Sequence, residues 1–170
     1  MILTTVETPR IEIKIEEQGP GYGKFSIAPL ERGYSMTLGN ALRRVLLSSI
    51  PGTAVTWVKI EGIYHEYSTV PNIKEDVTEL LISFKEIRLR SIADRPGKLR
   101  LEVSGEGVVT AGDIMTSSDF EIVNPELHLA TLDSNESHLA VEFNVEQGVG
   151  YQPAIPSDGT TNPPVGVLPV

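Results

Sequence analysis

The 170-residue sequence contains no cysteine, which removes disulfide frameworks, thiolate metal sites and cysteine nucleophiles together. It has no apolar run near the roughly 20 residues that span a bilayer. Its first residues, Met1 to Glu7, carry neither a basic start nor a sustained apolar segment, so no signal peptide is expected and a cytoplasmic location is the simplest reading. Basic residues are also in short supply. Fourteen Lys and Arg stand against 23 Asp and Glu, a net charge of -9 that argues against nonspecific nucleic-acid binding by the chain as a whole. Six of those fourteen basic residues cluster between Lys85 and Arg100, a strip that suits either contact with an acidic partner or, more commonly, the solvated face of strands and turns.

Catalytic signatures are missing as well. Gly19 to Lys24 imitates a phosphate loop, but Gln18 occupies the place of the first Walker glycine and Phe25 that of the magnesium-binding hydroxyl, so a hairpin turn is expected. The three histidines, His65, His128 and His138, lack metal-ligand spacing. His128 and His138 can face each other across a hairpin, but that makes only half a site. His65-Glu66 offers a base and its orienter, with no framed nucleophile to serve. No catalytic residue, metal site or cofactor is therefore expected.

A hydrophobic share of 40% with 22% charged residues is that of an ordinary soluble globular protein, long enough for one domain or two small ones. Ile11 to Glu16 alternates strictly and predicts a half-buried strand. Lys24 to Ile27 starts its hairpin partner beyond the Gly19–Gly23 turn.

The most informative stretch is Leu30 to Gly52, which reads as one helix stopped by Ile50-Pro51-Gly52. Leu38, Ala41, Leu42, Val45, Leu46 and Ser49 fall in one stripe about 140° wide. The other side carries Asn40, Arg43, Arg44 and Leu47. A leucine set among arginines is the composition of a protein-contact patch rather than of a purely solvated face.

Beyond it, Ala54 to Ile60 is β-rich and Ile63 to Tyr67 continues extended. A second helix is expected from about Lys74 to Lys85, with Val77, Leu80, Leu81 and Phe84 inward, and with Glu75 and Asp76 at the positive end of its dipole. Leu99 to Val103, Phe120 to Ile122, Leu127 to Leu129 and Leu139 to Val145 alternate as strands. Asp133 to Asn135 looks like a hairpin turn, and from Gln152 onward a proline-rich loop is expected. The fold class is α+β.

The run Leu30-Glu31-Arg32-Gly33, continued by Thr37 to Ser49, resembles the N-terminal domain of the bacterial RNA polymerase alpha-subunit family. So, in the same order, do His65 to Thr69, Glu75-Asp76, Thr110-Ala111, Asp113-Ile114, Gly150-Tyr151 and Pro153-Ala154. The resemblance covers nearly the whole chain. It implies a non-catalytic scaffold that dimerises and binds the beta and beta-prime subunits, without direct DNA or membrane contact.

On that pattern residues 1–50 are the first half of a dimerisation domain, a hairpin plus helix. Residues 51–164 are an inserted, mostly antiparallel β domain with one short helix, and residues 165–170 begin the return segment. Dimerisation falls to Leu38, Ala41, Leu42, Val45 and Leu46, beta contact to Arg44 and Leu47, and beta-prime contact to Glu79 and Lys85. Two departures stand out. Ser35-Met36 replaces the family's small residue and histidine. The chain ends where the dimerisation domain is to be completed, so it is expected to be truncated.

Overall fold

A computed structural model describes residues 10–154 and 164–170. Residues 155–163, most of the expected proline-rich loop, lie outside the described residues. The chain divides into two compact units, Met1–Leu47 and Ser48–Val170.

In the first unit β1 (Glu12–Gly19) and β2 (Tyr22–Ala28) form the expected antiparallel hairpin. Gly21, at φ 141°, turns the chain where a residue with a Cβ is strained, and its N–H donates to the Gly19 carbonyl at 2.9 Å. Ile13 pairs with Ile27 and Ile15 with Phe25, so four apolar side chains share one face. Ile13, Ile15 and Phe25 are nonetheless exposed.

The helix α1 (Tyr34–Ser49) begins later than its sequence pattern and ends at the expected Ile50-Pro51-Gly52 stop. Glu31 to Gly33 form a turn, closed by the Tyr34 N–H on the Glu31 carbonyl at 3.0 Å, with Gly33 at φ 91°. At the other end Pro51 and Gly52 already belong to β3, so helix gives way to strand within two residues.

The second unit is built on an antiparallel sheet. β3 (Pro51–Ile60) pairs along its whole length with β9 (His138–Val149), which pairs on its far side with β5 (Gly97–Ser104). The other edge of β3 takes β4 (Leu89–Ser91) at Thr53 and β10 (Leu168–Pro169) at Val58 and Trp57. β7 (Phe120–Ile122) closes that side through β4. β6 (Gly107–Thr110) and β8 (His128–Leu132) make a separate two-stranded sheet. With α2 (Val77–Lys85) these elements enclose one core. Phe84 of α2 and Phe143 of β9 meet edge to face there, at 5.0 Å between centroids and with no solvent exposure. Gly97 opens β5 beside Phe120, whose ring fills the space a Cβ would need.

Several expectations are corrected. Ile63 to Tyr67 is irregular, with bends at His65 to Tyr67, rather than a strand, because the chain turns at Glu61-Gly62, with Gly62 at φ 76°, and the His65 carbonyl is taken by the Ser68 hydroxyl instead of a ladder. α2 begins at Val77. Asp76 caps it by accepting the Glu79 N–H at 2.8 Å, while Glu75 lies before the helix. The turn after β8 is no sheet hairpin, since β8 pairs with β6 and β9 with β3 and β5. Apart from these corrections, residues 165–170 lie in the second unit, where Leu168 is part of the core. No helix among the described residues is long and apolar enough to cross a membrane.

Candidate protein-contact faces

No residue of α1 is buried, although its pattern is that of a core-facing helix. Leu38 is half-buried and Ala41 exposed. Leu42 is 49% exposed, Val45 56%, Leu46 60% and, on the other face, Leu47 61%, with Arg43 and Arg44 exposed beside it. Aliphatic side chains left in solvent on two sides of one helix form the kind of patch that marks an interaction surface. The stripe that the resemblance assigns to dimerisation is thus uncovered within this chain.

α2 differs. Its inward Val77, Leu80 and Phe84 are buried, Leu81 is partly so, and Glu79, Ile82 and Lys85 are exposed. Lys85, in the last turn, is placed to interact favourably with the helix dipole.

The start of α2 and the residues before it are tied to neighbouring segments. Glu75 accepts from the Thr131 N–H at 2.7 Å and the Thr131 hydroxyl at 2.9 Å, with His128 Nε2 at 3.7 Å. Lys74 N–H donates to the Thr131 carbonyl at 3.1 Å, and Val77 N–H to the Ser68 carbonyl at 3.2 Å. The Thr78 hydroxyl reaches the Glu66 carbonyl at 3.2 Å. Burial by itself pushes the Glu75 carboxyl up, but the two Thr131 bonds, a bond from its own N–H and the neighbouring His128 together hold it below the ordinary 4.5. A group lowered in the folded state adds stability that is complete above its unfolded value and is lost as pH falls through the folded one. The difference in thermal midpoint between the wild type and Glu75→Gln is therefore expected to be largest near neutral pH. It should shrink as pH drops below about 4.5, and a difference constant from pH 7 to 3 contradicts the assignment.

The histidines do not form half a site. His128 contacts Thr131 and Glu75, whereas His138 Nδ1 lies 2.9 Å from the Ser104 hydroxyl and its Nε2 3.4 Å from Glu61. They sit on strands of different sheets, which is why the hairpin they were expected to share does not exist. His65 and Glu66 border an open hollow of about 570 Å³ between the 64–67 loop, α2 and residues 164–169. The hydroxyls of Ser68 and Thr78 donate to main-chain carbonyls of that loop, so neither is aimed at the imidazole. In the basic strip, Arg90 pairs with Glu121, Arg95 with Asp119, Lys98 with Glu142 and Arg100 with Glu102, all at the surface. These pairs neutralise much of the strip and contribute little stability individually.

The clasp between Glu75 and Thr131 was not legible in the sequence. Glu75 reads as a helix-dipole residue, and nothing local marks a partner 56 residues away.

An antiparallel sheet carrying one short core helix, preceded by a hairpin and an uncovered helix, defines an α+β fold with an inserted β domain. Residues 58–170 match the RNA polymerase Rpb3/RpoA insert domain, and the chain belongs to that family. It is similar over nearly its full length to DNA-directed RNA polymerase alpha subunits. With that of Symbiobacterium thermophilum it is 52% identical over 165 residues, covering 97% of this chain and 52% of that protein. With that of Alkaliphilus oremlandii it is 48% identical over 170 residues, covering 100% and 53%. The chain spans about half the length of the curated relatives it matches.

Proposed function

We propose that this chain is a non-catalytic, cytoplasmic assembly scaffold of bacterial DNA-dependent RNA polymerase, acting through protein contacts. Two copies pack through Leu38, Ala41, Leu42, Val45 and Leu46 of α1. Arg44 and Leu47 engage the beta subunit, and Glu79 and Lys85 of α2 engage beta-prime. Residues 1–50 serve dimerisation, 51–164 form the insert, and 165–170 begin the return toward the dimerisation domain. The observation that carries this reading is α1 itself. It is an amphipathic helix without a single buried residue, in a chain whose other helix buries three. The similarity to alpha subunits supplies the class of partner.

Co-expression with beta and beta-prime, followed by pull-down, tests the proposal. Arg44→Ala combined with Leu47→Ala removes two side chains of the type that dominate interfaces. Capture of beta is expected to fall at least about thirtyfold, at roughly 2 kcal/mol or more for such anchors. Unchanged capture refutes the contact face.

A further inference from the structure

We infer that Glu75 is a positioning residue that sets the partner-bearing face of α2 by bolting the start of that helix to β8. This rests on the assignment of Glu79 and Lys85 as beta-prime contacts. α2 has only nine residues, below the length at which a helix is stable on its own, so its position is imposed from outside. Its three buried side chains fix its depth in the core. The same packing sets which stripe faces inward, but leaves the N-terminal end with less restraint against small shifts along the axis. Hydrogen bonds at the N-terminus supply that restraint.

Residues 74 and 75 make three bonds to Thr131 alone, two of them to the two oxygens of one carboxylate. Charge-assisted bonds of this kind are both stronger and more directional than neutral ones. The next residue, Asp76, caps the helix, and Glu79, whose N–H it holds, is the first outward contact residue. The chain from Thr131 to Glu79 is thus continuous. With 15% of the Glu75 side chain accessible, the site is also selective. Glutamine can accept from the Thr131 N–H and donate to a turned Thr131 hydroxyl, but it loses the negative charge that strengthens both bonds.

The test uses the whole chain co-expressed with beta and beta-prime. Glu75→Gln and Thr131→Val are each expected to weaken beta-prime capture about tenfold while leaving beta capture unchanged. A β5 variant with a comparable fall in thermal midpoint, such as Val103→Ala, should keep both. On a Glu79→Ala background the further loss from Glu75→Gln should shrink to less than about twofold, because the two residues act through one contact. Normal beta-prime capture by Glu75→Gln overturns the inference, as does an equal loss in the β5 variant or fully multiplicative effects with Glu79→Ala. If Glu79→Ala and Lys85→Ala leave beta-prime capture intact, the contact assignment itself falls and the inference with it. If they weaken it and Glu75→Gln does not, only the positioning role falls.

Discussion

Phe84→Ala is expected to destabilise the second unit by about 3–5 kcal/mol, the range for removing a fully buried aromatic ring from a core. The ring has no solvent exposure and stacks edge to face on Phe143, a geometry that adds to the area it buries. The cavity would open where α2 meets β9, leaving Val77, Leu80 and the hydrogen bonds around its N-terminus to hold the helix. Against a typical domain stability of about 5–15 kcal/mol, a loss of this size is roughly a fifth of the total or more. The thermal midpoint should drop roughly 10 °C or more. Urea unfolding followed by far-UV circular dichroism measures it, and a change below about 1 kcal/mol would mean that the two rings do not form the centre of the core.

The second large effect concerns α1. Leu42→Glu combined with Leu46→Lys is expected to weaken self-association at least about a hundredfold, because charges brought into an apolar seam must be stripped of water at a cost that pairing within or between copies does not repay. Both positions are exposed within one chain, so the folded protomer should lose little. A glutamate four residues before a lysine is, moreover, a favourable helical pair. Sedimentation equilibrium should show the mass of two copies for the wild type and of one for the variant, with unchanged helical content. A wild type that sediments as a single copy, or a variant that still pairs, would refute the dimerisation stripe.

What was legible in the sequence followed from short-range order. The β1–β2 hairpin, α1, α2 and the alternating strands β5, β7 and β9 are all visible as periodicities of two or of about 3.6 residues. The composition of α1, with Leu47 among arginines, marked a candidate contact face before any tertiary information. Illegible were features that depend on which remote segment comes close. Asp133 to Asn135 looks like a hairpin turn because turn chemistry is local, yet whether the flanking strands pair is decided by competition for sheet edges. β9 is taken by β3 and β5, and β8 by β6. His128 and His138 were separated for the same reason. Gly33, at positive φ, set the start of α1 later than periodicity implied, because an apolar pattern does not record backbone handedness.

From its residues alone, then, this chain was determined to be an α+β protein without thiol chemistry, with two amphipathic helices and with candidate contact residues on each. Tertiary structure decided which helix is covered. α2 buries Val77, Leu80 and Phe84 and is clasped through Glu75 to Thr131, while α1, with an equally clear stripe, is left open to solvent. An amphipathic pattern records that a face prefers contact over water. It does not record whose surface provides it, since that depends on loop closure and packing among segments far apart in sequence.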